Sequence, residues 1–279
     1  MRRPPNPLLI LALAVPALAN IETEDAGVLS PETPLLREVL RYLETANVEQ
    51  ILLETQIRTG ITRRLEGRAS IPFLFRDLGS EDVNGLGDVT LRLKWSVHQE
   101  DGVMSSTRWA LLFESILPTG DDDRDEGGVL LARRLQPGPG SFGHSVGGVH
   151  TIVRDRHRAS AALRLRHFTR HEGFRPGPEV QLDLAYWYRL APASFGPEAP
   201  AWELRGVLEV LTTYRFESQG AGGGAGDEGA IVWFAPGLQL YASPSVQVEW
   251  NVRVPLSDGI DDALGARKWG ALLAVKIRF

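Results

Sequence analysis

The feature that most restricts the fold is alternation. Residues 268–279, KWGALLAVKIRF, put Trp269, Ala271, Leu273, Val275, Ile277 and Phe279 on one side of an extended chain. Lys268, Gly270, Lys276 and Arg278 fall on the other side. Successive side chains of a strand point to opposite faces, so this segment has one apolar and one charged face. In residues 88–97, Val89, Leu91, Leu93, Trp95 and Val97 oppose Asp88, Thr90, Arg92, Lys94 and Ser96. Residues 179–190 and 245–256 split in the same way. Each is close to the 9–11 residues that a tilted membrane strand needs.

Weaker alternation marks residues 48–60, 65–76, 106–117, 142–153, 159–168, 201–216 and 229–242. A twelfth segment, residues 34–45 (PLLREVLRYLET), fits a helix as well as a strand. Parity favours a strand, because single-chain bacterial barrels have even strand numbers. After residue 20, charged residues interrupt every apolar stretch before it reaches helix-spanning length. A closed barrel is the other way to satisfy a backbone in hydrocarbon. A soluble sandwich or lipocalin-like domain would also alternate. Against it stand the bulky apolar faces opposite charged ones, the terminal Phe279, and aromatics near strand ends. Trp109, Tyr188, Trp202 and Tyr241 fall toward one rim, and Phe75, Tyr214, Phe216 and Trp269 toward the other, as in two interfacial girdles. The expected fold is all-β: an antiparallel transmembrane outer-membrane β-barrel of about 12 strands, with short periplasmic turns and longer extracellular loops.

Ahead of the barrel, Arg2 and Arg3 precede the apolar run LLILALAV, Pro16 breaks it, and Ala17-Leu18-Ala19 supplies a cleavage pattern. This reads as a signal peptide over residues 1–19, for export from a Gram-negative cell to the outer membrane. Residues 20–34 are then a periplasmic or plug segment, and residues 35–279 the barrel. The absence of cysteine excludes thiolate metal sites and disulfides. A net charge of −5 disfavours nucleic acid as a partner.

The side of each strand opposite the apolar face supplies candidate lumen-lining residues. They are Glu54, Arg58, Arg68, Arg92, Lys94, Glu114, Arg164, Arg166, Asp183, Arg205, Glu209, Glu249, Arg253, Lys276 and Arg278. They form either a ladder of salt bridges that fills the barrel or a polar conduit that selects solutes. No catalytic constellation emerges. His144 and Ser145 are neighbours, so on a strand they face opposite sides. The six histidines are scattered, and neither a metal site nor a cofactor is expected. Asp121, Asp122, Asp123, Asp125 and Glu126 form an acidic run in the longest outer loop. It is either a solvated charge run or a site for divalent cations bridging to lipopolysaccharide phosphates.

Three stretches carry a family resemblance: TGITRRLEGRASIPFLF (residues 59–75), GLGDVTLRLKW (85–95) and LLFESILPTGDD (111–122). Their order and spacing resemble the outer-membrane transporters associated with the MetA pathway of phenol degradation. Thr59 and Arg63 depart from that pattern, which often has an aromatic and Asp there. The resemblance implies a membrane barrel that passes small molecules, hydrophobic or aromatic ones among them. The alternatives are a filled structural or ligand-binding barrel and an outer-membrane hydrolase. The expected partners are outer-membrane lipid and lipopolysaccharide, the barrel-assembly machinery that reads Phe279, and a small-molecule solute.

Overall fold

The computed structural model describes residues 23–79, 82–126, 128–133, 135–193, 202–220 and 227–279. The segment read as a signal peptide lies outside the described residues. The strands are β1 (Leu35–Thr45), β2 (Glu49–Thr62), β3 (Leu65–Asp77), β4 (Asp82–Leu86), β5 (Val89–Gly102), β6 (Ser105–Leu117), β7 (Asp125–Glu126) and β8 (Val129–Leu130). They continue with β9 (Gly143–Arg154), β10 (His157–Phe168), β11 (Glu179–Ala191), β12 (Glu203–Arg215), β13 (Gly229–Tyr241), β14 (Val246–Asp258) and β15 (Arg267–Arg278).

All strand pairings are antiparallel, and β1 pairs with both β2 and β15, which closes the sheet. Closure runs from Leu35 opposite Arg278 to Thr45 opposite Arg267, with one irregularity at Glu44 and Thr45. Among the described residues twelve strands form this barrel: β4 extends the line of β5 along β3, and β7 and β8 make a separate hairpin in the longest loop. Residues 34–45 are therefore a strand. Its odd positions, Leu35, Arg37 and Val39, point inward, and Glu38 points out.

The partition of side chains is inverted relative to a water-soluble protein. Along β11, Leu182 and Leu184 are 42% and 46% exposed, while Asp183 between them is 0% exposed. Along β5, Leu91, Leu93, Trp95 and Val97 face out, while Arg92, Lys94 and Ser96 are buried. A carboxylate inside and leucines outside is a costly arrangement in water. In a bilayer it is the favourable one, with apolar side chains toward lipid and every backbone amide paired around the closed sheet.

The connections sort by length. Two-residue turns join β2 to β3, β5 to β6 and β9 to β10, at the end where β1 begins and β15 ends. Met104 and Asp155 take φ of 56° and 51° in two of these turns, as tight hairpins demand. The polar stretch QEDGVMSS (residues 99–106) is mostly strand, because β5 runs on to Gly102 and β6 begins at Ser105. The β6–β9, β10–β11 and β12–β13 connections at the other end are long, and the β1–β2 connection there stays short. In that short turn Thr45 Oγ1 accepts from the backbone N–H groups of Asn47 and Val48.

The three resemblance stretches meet at one place. β3 pairs with β5 up to Ser70 and with β4 from Phe73, and Pro72, which lacks a donor, sits at the break. Gly87 N donates to Pro72 O (2.9 Å), Gly120 N to Asp88 Oδ1 (2.9 Å) and Val89 N to Thr119 Oγ1 (2.9 Å). A Cβ on Gly120 would lie 2.7 Å from the backbone carbon of Gly87, so only glycine fits. The motifs thus fasten the long outer loop to the interrupted ladder.

A charge placed on the outer face tests the inverted partition. Leu184→Arg, midway along β11, is expected to cost about 2–4 kcal/mol on unfolding from bilayers, and Phe216→Arg at the outer rim about 0–1 kcal/mol. Denaturant titration in lipid vesicles measures both. Equal effects at the two depths would contradict the membrane-facing assignment.

Candidate functional site

The interior is occupied in part by backbone. Thr23 N donates to Glu209 Oε1 on β12 (3.0 Å), Ala26 N to Thr151 Oγ1 on β9 (2.9 Å) and Leu29 N to Glu66 Oε2 on β3 (2.9 Å). Three donors within seven residues reach three well-separated strands, so the segment leading to β1 crosses the bore. Ala26 is 0% exposed and packs with Ala110, Leu112, Val149 and Ala162. Gly60 makes room for the passage: a Cβ there would lie 2.3 Å from the carbonyl oxygen of Leu29.

Glu24 is the anchor of this segment. Its carboxylate lies 2.6 Å from Arg92 Nη1, 3.2 Å from Arg68 Nη1, 3.3 Å from Lys94 Nζ and 3.7 Å from Arg58 Nη2. These cations come from β2, β3 and β5, adjacent strands whose alternation aims the side chains at one point. Burial alone would raise the Glu24 carboxyl pKa, but the four cations outweigh it and hold the pKa well below the usual value of 4.5. Asp25 follows the same logic: burial raises, while Arg158, at 2.9 Å, and the cradle cations lower it.

The other sequence-assigned residues are placed as follows. Arg58 also pairs with Glu66 at 2.7 Å. Glu114 binds Arg92 and, at 3.0 Å, Arg166, which reaches Glu179 at 3.2 Å. Arg164 pairs with Asp183 at 2.8 Å. Glu54 takes Arg41 at 2.6 Å, and Glu249 takes Lys276 at 3.0 Å. Arg205 stacks over Tyr241 and bonds Glu203, while Arg253 covers the buried Trp233. Arg278 is exposed at the turn-side mouth, and Phe279 beside it is 71% exposed. Of the sequence-assigned residues, Arg58, Arg92, Lys94, Glu114, Arg164, Asp183, Glu209, Glu249 and Lys276 are buried.

Apolar side chains are interleaved with these charges. Val39, Ala185, Trp187, Val207, Leu272 and Ala274 form one buried cluster, and Leu211, Ile231, Trp233 and Ile260, with Leu43, form another. Val39 and Leu43 lie on one face of β1, and Val207 and Leu211 on one face of β12, so the two clusters continue each other along the axis. The same strands also bury Arg37, Asp183, Glu209 and Lys276, so apolar packing and ion pairs share the interior.

Several assignments change. Tyr241 is not part of a lipid-facing girdle: its hydroxyl donates to Gln239 Oε1 (3.3 Å), inside the barrel. Within the acidic run, Asp121 is taken by Arg124 (2.6 Å) and Asp122 by Arg133 (3.3 Å) and His171 (3.0 Å), while Asp123 and Asp125 are exposed. Among the described residues no group of three or more metal-ligating side chains converges. His144 and Ser145 diverge: His144 Nδ1 meets Ser115 Oγ (3.3 Å) on the outer face, and Ser145 Oγ donates to Glu114 Oε1 (3.4 Å) within. Sequence reasoning missed Glu24, Asp25, Arg37, Arg41, Arg158 and Trp187. The helix–strand ambiguity of residues 34–45 hid Arg37 and Arg41. Arg158 fell just before the strand assigned to residues 159–168.

The family model described as "Putative MetA-pathway of phenol degradation" matches residues 19–259. A search of curated proteins finds no match. Among solved structures, the COG4313 outer membrane channel from Pseudomonas putida F1 superposes with a TM-score of 0.70 at 14% identity, over 93% of this chain and 100% of that one. The NanC porin gives a TM-score of 0.53 at 9% identity, over 88% and 100%. The β domain of the Bordetella autotransporter BrkA gives 0.52 at 12% identity, over 88% and 99%. These likenesses identify the fold as that of outer-membrane barrels.

Because Glu24 is held ionised, its anchoring should be fully present above the ordinary carboxylate pKa of 4.5 and lost only as pH falls through the lower folded value. The chain has no cysteine, so Ala26→Cys gives a unique reporter. Labelling by an acid-tolerant pyridyl disulfide should be slow from neutral pH through 4.5. Removing one partner of a buried pair costs about 3 kcal/mol or more, so Glu24→Gln should speed labelling about a hundredfold. Equal labelling of the two proteins would refute the anchor.

Proposed function

Starting from a chain that belongs to the MetA-pathway phenol-degradation family and folds as an outer-membrane barrel, we propose that it is a narrow outer-membrane channel for small solutes with an apolar or aromatic body. In this reading residues 23–34 form the plug. The observation that carries it is the Glu24 cradle: a non-strand segment crosses the bore, held chiefly by the Glu24 carboxylate together with Asp25 and three backbone donors. A segment whose hold rests on a few polar contacts can leave and return. A barrel filled by side chains cannot clear its bore without unfolding.

The apolar clusters among the charges support the substrate class. In this reading an apolar body passes Val39, Trp187, Val207 and Leu272, while the neighbouring charges order water and any polar group. The alternative, a filled structural barrel, draws support from the dense pairing around Glu114, Glu179 and Glu249. A hydrolase reading has weaker support, since the His144–Ser115 contact lies on the lipid-facing surface. In assembly, the exposed Phe279 is the feature offered to the barrel-assembly machinery, and the outer loops meet lipopolysaccharide.

Planar-bilayer recording tests the proposal. A variant lacking residues 23–33 is expected to conduct several-fold more than the intact barrel, with fewer brief closures. Identical conductance would favour the filled-barrel alternative.

A further inference from the structure

Beneath the crossing segment, at the turn-side end of the bore, lies a cavity of about 210 Å3. The segment roofs it with Asp25, Gly27, Val28 and Leu29. Its wall presents Arg108 of β6, Arg158 of β10, and Lys276 and Arg278 of β15, together with the rings of Trp187 and Tyr241. Arg58 and Glu66 also line it, and they are already joined to each other at 2.7 Å. We infer that this vestibule binds a small organic monocarboxylate with an aromatic body.

Charge, donors and shape all point to that ligand. The two lining carboxylates are spoken for, Glu66 by Arg58 and Asp25 by Arg158 at 2.9 Å. The cations keep spare capacity. Arg158 Nε is buried and makes no hydrogen bond, and among the described residues Arg278 makes no ion pair. Arg108 holds only an exposed Asp101 at 3.3 Å and Ser106. Guanidinium groups take carboxylates through paired, charge-assisted hydrogen bonds. The rings of Trp187 and Tyr241 line the cavity beside these charges, with Arg158 5.4 Å over the first and Arg205 4.6 Å over the second, so an aromatic body meets ring edges and the stacked guanidinium of Arg158. Asp25 itself shows the chemistry, since a carboxylate already sits on Arg158. A free carboxylate would compete with Asp25 for that guanidinium.

This inference rests on the channel reading for its role, but binding can be measured without conduction. The intact refolded barrel in detergent is titrated calorimetrically with benzoate, benzyl alcohol and benzylammonium. Benzoate should bind most tightly. Each lost charge-assisted contact should weaken it about tenfold, so Arg108→Gln combined with Arg278→Gln should lower benzoate affinity by that factor or more and leave benzyl alcohol unchanged. Asp25→Asn, which keeps an oxygen for Gly27 N but removes the competing charge, should tighten benzoate several-fold. Heat-modifiable gel migration checks that each variant is folded. Benzoate binding no tighter than benzyl alcohol, or unchanged in the folded double variant or in Asp25→Asn, would overturn the inference. A silent channel that still binds benzoate would instead contradict only the transport reading.

Discussion

Closure of the sheet between β1 and β15 is the condition on which everything else depends. Each N–H and C=O left unpaired in hydrocarbon costs several kcal/mol, and the antiparallel ladder from Leu35–Arg278 to Thr45–Arg267 removes the last open edge. Closure also fixes the faces. Once the register is set, every second side chain is committed to lipid and the rest to an enclosed bore. That bore must then hold guanidinium groups, lysines and carboxylates that have been moved away from bulk water.

The interior meets this demand by pairing. Arg164 with Asp183, Arg41 with Glu54 and Lys276 with Glu249 are each paired across neighbouring strands. On β2, β3 and β5, however, the wall has more cations than acids. Arg58, Arg68, Arg92 and Lys94 crowd together with Glu66 and Glu114. Like charges in a poorly solvated space repel strongly. Glu24 relieves that repulsion from outside the barrel wall. The same charge excess that would burden an empty bore therefore anchors the preceding segment. It also makes the region below that segment receptive to anions.

The strands and their faces were legible because alternation is a local property. Leu182, Asp183 and Leu184 reveal their environment within three residues. The same parity could be used to name Arg58, Arg68, Arg92 and Lys94 as candidates for the lumen. Their convergence could not be read that way, because it depends on the stagger between strands, which side-chain parity leaves open. Glu24 carried no periodic signal, since it lies in an irregular segment whose path is set by acceptors on β3, β9 and β12. Tyr241 misled because an aromatic at a strand end suits a lipid interface as well as an inward hydrogen bond. The glycine-rich motifs are visible in the sequence one by one, but their meeting at Pro72, Asp88 and Gly120 is a long-range fact.

The central claim is that a detachable segment occupies the conduit. Ala26 N lies 2.9 Å from Thr151 Oγ1, close enough for a cysteine pair at these positions to be cross-linked. A single barrel carrying Ala26→Cys and Thr151→Cys can be recorded in a bilayer, first oxidised and then under reductant. With the segment fastened, the account expects a steady low conductance that gives way to larger, fluctuating openings on reduction. The same conductance before and after reduction would contradict it.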